Sequence, residues 1–149
     1  MSIYLVLVVL HIVFAAAWFA APLALTSMLR SALPHGREAF GSVAKVATRF
    51  GIIGAIGNVG TIVLGVALIF VRGGFASVPP TYHAALTLAL IGGGLGFGIQ
   101  KPAGASLVET AEREDWSAEQ AAATIGKLGR GVAAQHALWL TILVLMYWK

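Results

Sequence analysis

The chain has no cysteine among its 149 residues. That excludes disulfides, iron–sulfur clusters, thiolate metal sites and the covalent attachment of c-type haem, so any cofactor must be held by nitrogen, oxygen or thioether ligands. Charge is scarce as well. Asp, Glu, Lys and Arg together make 11% of the residues, against about 25% in a soluble globular domain. The methionines are scattered and form no cluster, which argues against a thioether copper path. No carboxylate lies inside an apolar stretch to serve a proton relay. A catalytic serine or cysteine triad, a phosphate-binding glycine loop and a metalloprotease helix are likewise missing.

What the chain does have is four long apolar stretches, about Ile3–Leu25, Ile52–Val71, Tyr82–Ile99 and Val132–Trp148. A helix needs ~20 apolar residues to cross the hydrocarbon of a bilayer, and lipid offers a single segment no other way to satisfy its backbone. The pattern predicts an all-α protein, a four-transmembrane-helix bundle forming one integral membrane domain over 1–149. The third and fourth stretches are short and borrow from Pro80–Thr81 and Gly126–Gly131. The net charge of +4 reflects membrane orientation and not nucleic acid. Arg30, Arg37, Lys45, Arg49, Lys101, Arg113, Lys127 and Arg130 fall between stretches one and two or three and four, with only Arg72 and Lys149 opposite. This asymmetry places both long connections in the cytoplasm and the N- and C-termini outside, in a bacterial inner membrane. The first stretch is too long and lacks a preceding Lys or Arg for a cleaved signal, and is expected to be retained.

In the first connection a break at Ser31–Gly36 precedes Phe40, Val43, Val46, Ala47 and Phe50 at helical spacing, read as an interfacial helix before span two. In the second, Ser117 and Gln120 form a capping box for a helix that runs into the last span and projects past the membrane. Glycines recur on span two (Gly51, Gly54, Gly57, Gly60, Gly65) and crowd span three (Gly92, Gly93, Gly94, Gly96, Gly98). Small residues let helix backbones approach closely, within a bundle or in a homo-oligomer. The other use of such glycines is to leave room for a flat cofactor.

Ionisable groups inside a span are costly and commonly functional. His11 lies ~12 Å below the outer surface and His136 ~18 Å, by the rise of a helix. Tyr4, His11 and Trp18 recur every seven residues, so their stripe is expected to face the bundle. Two histidines on facing helices would sandwich a planar macrocycle. The competing reading of each is a hydrogen bond to a neighbouring helix. His83, beside Tyr82 at the outer end, is a third candidate ligand or a propionate partner, and His35 is a loop residue. Asn58, Thr61, Gln100, Gln135 and Thr141 read as interhelical bonds worth ~0.6–2 kcal/mol, with Asn58 also placed to orient His11 or a cofactor.

Leu10-His11-Ile12 followed by Ala17-Trp18-Phe19-Ala20 resembles the opening helix of the CopD-like superfamily of small membrane proteins, which includes the HemJ-type protoporphyrinogen oxidases. Arg49-Phe50-Gly51 and Leu145-Met146-Tyr147-Trp148-Lys149 are similar to short members of that superfamily. The resemblance implies a four-helix unit that binds haem b, with His11 at the first-helix histidine. The HemJ-type lysine has no counterpart in Tyr82–Leu86, and Ser27 falls where the family arginine would stand, which argues against protoporphyrinogen oxidation. The resulting expectation is a haem b protein with His11 and His136 or His83 as iron ligands and Trp18 and Asn58 beside the cofactor. It would transfer electrons to a redox partner or quinone, or act as a membrane oxidoreductase. A non-catalytic subunit packing in a larger complex and a small transporter are the alternatives.

Overall fold

A computed structural model describes residues 2–148. The described residues form α1 (Ile3–Leu23), α2 (Leu25–Ala32), α3 (Gly36–Val71), α4 (Pro80–Leu95), α5 (Lys101–Glu112) and α6 (Ala118–Tyr147). Short 3₁₀ turns occupy Leu33–His35 and Phe75–Ser77, and a π-helical turn, Gly96–Gln100, joins α4 to α5. Local chemistry explains the ends. Ser2 accepts the Leu5 N–H at 3.4 Å to open α1, and Ser117 accepts that of Gln120 at 3.4 Å to open α6. α3 stops at Gly73 and Gly74, whose φ values of 102° and 94° are left-handed. The Gly74 N–H returns to the Ile69 carbonyl at 3.0 Å, a glycine-dependent helix stop. Pro80, which has no N–H to lose, starts α4.

The expectation of a four-helix bundle is corrected by the count of helical runs. Among the described residues three runs, Ile3–Val71, Pro80–Glu112 and Ala118–Tyr147, are long and apolar enough to cross a membrane. The connection over 26–50 is itself helical and joins the first two apolar stretches into one run, which turns back at Leu33–Gly36, where Gly36 has φ 87°. The placement of the N- and C-termini outside, read from the charge asymmetry across four separate spans, belonged to that expectation and is not carried by the three runs. The separate interfacial helix before span two is corrected too. Its residues are the opening turns of α3, with Phe40 and Ala44 buried against protein instead of lying in the headgroups. Arg37 holds them there, donating to the Ala111 and Glu112 carbonyls at 2.8 Å each.

The two ends of the molecule are packed by different rules. At the charged end, Leu29, Phe40, Leu107, Ile125 and Leu128 interlock in a core like that of a water-soluble helical protein. Lys45–Glu112 and Arg113–Asp115 pairs lie on its surface. Arg113 hydrogen-bonds both Asp115 oxygens at 2.9 Å and holds that carboxyl below its ordinary range. At the apolar end, large side chains such as Ile12, Ile56, Val63, Leu90 and Val144 face outward. An exposed apolar surface of this extent fits contact with lipid, so the protein is membrane-associated through its apolar helices.

Inside this end the helices meet at small residues. A Cβ on Gly57 would stand 2.5 Å from the Trp18 backbone nitrogen and 2.9 Å from the Phe14 carbonyl oxygen, so only glycine permits this approach of α1 and α3. Gly57→Ala is expected to lower stability by ~1–3 kcal/mol through overpacking, measured by unfolding in mixed micelles. Gly94→Ala, at an exposed position where nothing lies within 4 Å of the new Cβ, serves as the neutral control; equal stability of the two variants would contradict the close approach.

Candidate functional site

A groove of about 430 Å³ lies between α3 and the α4–α5 run, within the range of small-molecule sites, ~300–1,000 Å³. It extends from Ala47 to Asn58 along α3, a length of ~16 Å at the helical rise. Glycines shape both walls: Gly51 and Gly54 on one side, and Gly92, Gly93, Gly96 and Gly104 on the other. Trp18 of α1 and Gln135 of α6 reach it from behind. The exposed side chains of Ile52, Ile56 and Phe97 border it, so it opens sideways at the lipid-contacting surface, with Lys101 and Thr48 toward the charged end.

The wall is mostly apolar, and apart from Thr48 and Lys101 its polar side chains are three amides, Asn58, Gln100 and Gln135. Asn58, 4% exposed, donates from Nδ2 to the Ala89 carbonyl at 3.3 Å, tying α3 to α4. Its Oδ1 lies beside Gly93, where a Cβ would come within 2.6 Å. Gln100 donates from Nε2 to Gln135 Oε1 and, at 3.4 Å, to the Gly131 carbonyl. The π turn helps position Gln100. Pro102 has no N–H and its ring would press on the carbonyl four residues back, while the Lys101 N–H reaches five residues back to Gly96. Such single-turn bulges recur at functional sites. Among the described residues no hydrogen bond uses Gln135 Nε2, Gln100 Oε1 or Asn58 Oδ1, although Gln135 is only 4% exposed.

The expected site residues divide into two groups. Trp18 and Asn58 meet at the groove, whereas His11, His83 and His136 do not line it. His136 sets Nδ1 at 2.8 Å from the Val132 carbonyl and Nε2 at 3.0 Å from that of Phe19. Its ring stands edge-on to Phe19 with centroids 4.6 Å apart. Trp139 makes a parallel link, donating to the Ala15 carbonyl at 3.2 Å, so α6 is stitched to α1 through two backbone oxygens. His83 Nε2 lies 3.1 Å from the Phe75 carbonyl and ties the Arg72–Pro80 turn to α4. His35 bonds locally to the Ser31 carbonyl at 2.9 Å. His11 packs against α3, where Gly65 leaves space for the ring, and its buried Nδ1 has no partner.

These placements do not fit a haem held between two histidines of one chain. His11 lies eight residues, or ~12 Å along the helix, from the Phe19 carbonyl that His136 engages. Both His136 nitrogens lie against carbonyl oxygens, and the His11 ring sits in the notch that Gly65 of α3 leaves. Gln100 and Gln135, read from the sequence as interhelical bonds alone, are the groove's additional polar residues. The cue to Gln100 is its place at the end of the glycine run, two residues before Pro102; for Gln135 no signal beyond its apolar surroundings was present. No family model, curated protein or solved structure matches the chain.

Replacing His136 by Leu leaves the Phe19 carbonyl without its interhelical donor. The expected cost is ~1–3 kcal/mol in micelle unfolding, with an unaltered visible spectrum. Loss of a Soret band in this variant would instead show that His136 ligates iron.

Proposed function

We propose that the protein is an integral membrane binding protein whose groove takes a neutral and largely apolar small molecule from the bilayer. The supporting observation is the set of three amides at the back of a glycine-walled groove whose lining is otherwise apolar except for Thr48 and Lys101 toward the charged end. In hydrocarbon an unmatched amide costs free energy that water cannot relieve. A flat molecule with a hydrogen-bonding head satisfies Gln135 Nε2 and the free oxygens of Gln100 and Asn58. Its apolar body then lies on Trp18 and the glycines. A wholly apolar partner helix would leave the amides unmatched, and a charged ligand would find no counter-charge beyond Lys101 at the rim.

Orientation follows from charge. The end carrying Arg37, Lys45, Arg49, Lys101, Arg113, Lys127 and Arg130 belongs in the cytoplasm of a bacterial inner membrane. The polar end of the groove then faces the inner leaflet, and the ligand enters sideways from lipid.

Gly104 lines the groove, and a Cβ there meets nothing within 4 Å, so Gly104→Leu fills the space without displacing backbone. Protein purified in mild detergent and extracted with organic solvent should yield one neutral compound in near-stoichiometric amount from the wild type and little from Gly104→Leu or Gln135→Leu. Equal extracts from all three would overturn the proposal. A smaller assembly for Gly104→Leu, with no compound in either extract, would show that the groove seats a helix of another subunit.

A further inference from the structure

At the opposite end of the protein from the Lys101 rim lies a second arrangement that the groove does not involve. Arg72 follows the last turn of α3 and is exposed, and no carboxylate occurs anywhere between Glu38 and Glu109. Its guanidinium is nevertheless fixed in place. Nη2 donates to the Tyr4 hydroxyl at 2.8 Å and Nη1 to the Tyr82 hydroxyl at 3.0 Å. The guanidinium carbon lies 5.6 Å from the Tyr4 ring centroid and 5.7 Å from that of Tyr82. The clamp joins α1, the end of α3 and the start of α4, and among the described residues no carboxylate pairs with the charge.

The direction of these hydrogen bonds matters. Each phenol oxygen accepts from Arg72, so each phenol O–H proton remains free to donate. A guanidinium has five N–H groups, and the tyrosines occupy two. Free N–H donors and two phenol protons therefore surround one positive charge whose geometry is already set. Arginine forks suit the paired oxygens of a phosphate. The C-terminal end of α3 disfavours an anion, but α4 begins beside the clamp and its N-terminal end favours one. Ile69, Phe70 and Val71 immediately precede Arg72, and Phe70 packs edge-on to Phe75. The charge thus stands where an apolar span gives way to the headgroup layer, the usual depth of tyrosine and arginine anchors.

We infer that Arg72, Tyr4 and Tyr82 form a binding site for an anionic phosphate, supplied by the headgroup of a phospholipid. This site is independent of the groove ligand, because none of its three residues lines the groove.

Native mass spectrometry of the full chain, titrated with phosphatidylglycerol in mixed micelles, tests the inference. One lipid should be retained by the wild type, with affinity falling about tenfold in Arg72→Gln, as expected for loss of a charge-assisted fork. Tyr4→Phe and Tyr82→Phe should each weaken retention, and Arg72→Lys should give an intermediate value because it keeps the charge without the fork. Lys127→Gln, at the other end, should bind as the wild type does. Failure of millimolar inorganic phosphate to displace the lipid supports a headgroup as the source, whereas displacement would overturn that source in favour of a free anion. Equal retention by the wild type and Arg72→Gln, with both eluting as the same folded species, would overturn the site and leave the clamp as a purely structural tie.

Discussion

The architecture depends on how closely Trp18 can sit to two glycines. Its backbone abuts Gly57 of α3, and its ring reaches Gly92 of α4, where a Cβ would come within 2.7 Å of Cζ2. Trp18 is 2% exposed and fixes three helices at once. In lipid this is the available kind of packing energy, since transferring a side chain from lipid tails to another helix gains little hydrophobic free energy. Shape complementarity between one large ring and two missing side chains replaces the oil-like core of a soluble domain. Asn58 and Gln135 add directional bonds around the same layer.

The groove is a by-product of this mode of packing. Glycines that admit Trp18 and Asn58 on one face, such as Gly92 and Gly93, leave little bulk on the next, and Gly51 and Gly104 have nothing within 4 Å to fill the gap. Further toward the charged end, Leu107 and Leu128 belong to the close-packed core and also border the groove. The cavity therefore begins where lipid-type packing meets water-type packing.

The sequence made the apolar stretches, the charged end, the Ser117 cap and the inward orientation of Trp18 legible, because each rests on periodicity or on a local hydrogen bond. It showed a helix over Phe40–Phe50 but did not reveal that α2 would precede it or that its opening turns would be packed into a core. The Leu33-Pro34-His35-Gly36 break reads as the end of an element, yet a single left-handed residue at Gly36 suffices to turn the chain and restart a helix. The partners of the histidines were not legible for a related reason. Depth in a span follows from residue number, but direction around the axis and the choice of partner do not. His136 found a carbonyl of α1, and His11 found the notch at Gly65. The resemblance to the CopD-like superfamily drew together His11 and Trp18, which in the fold both pack against α3, at Gly65 and Gly57, with only Trp18 reaching the groove. Gln100 was legible as an interhelical bond, but its place at the groove depends on the π turn before Pro102, a backbone irregularity that spacing rules do not anticipate.

An experimental density map of the protein in lipid would test the central claim most directly, at a resolution that separates side-chain amides from bound molecules. The account predicts elongated density along Trp18 and the groove glycines, with a polar end within hydrogen-bonding distance, ~2.7–3.2 Å, of the Gln135 amide. A groove filled by a helix of another chain, or closed by rotation of α5 onto α3, would contradict it.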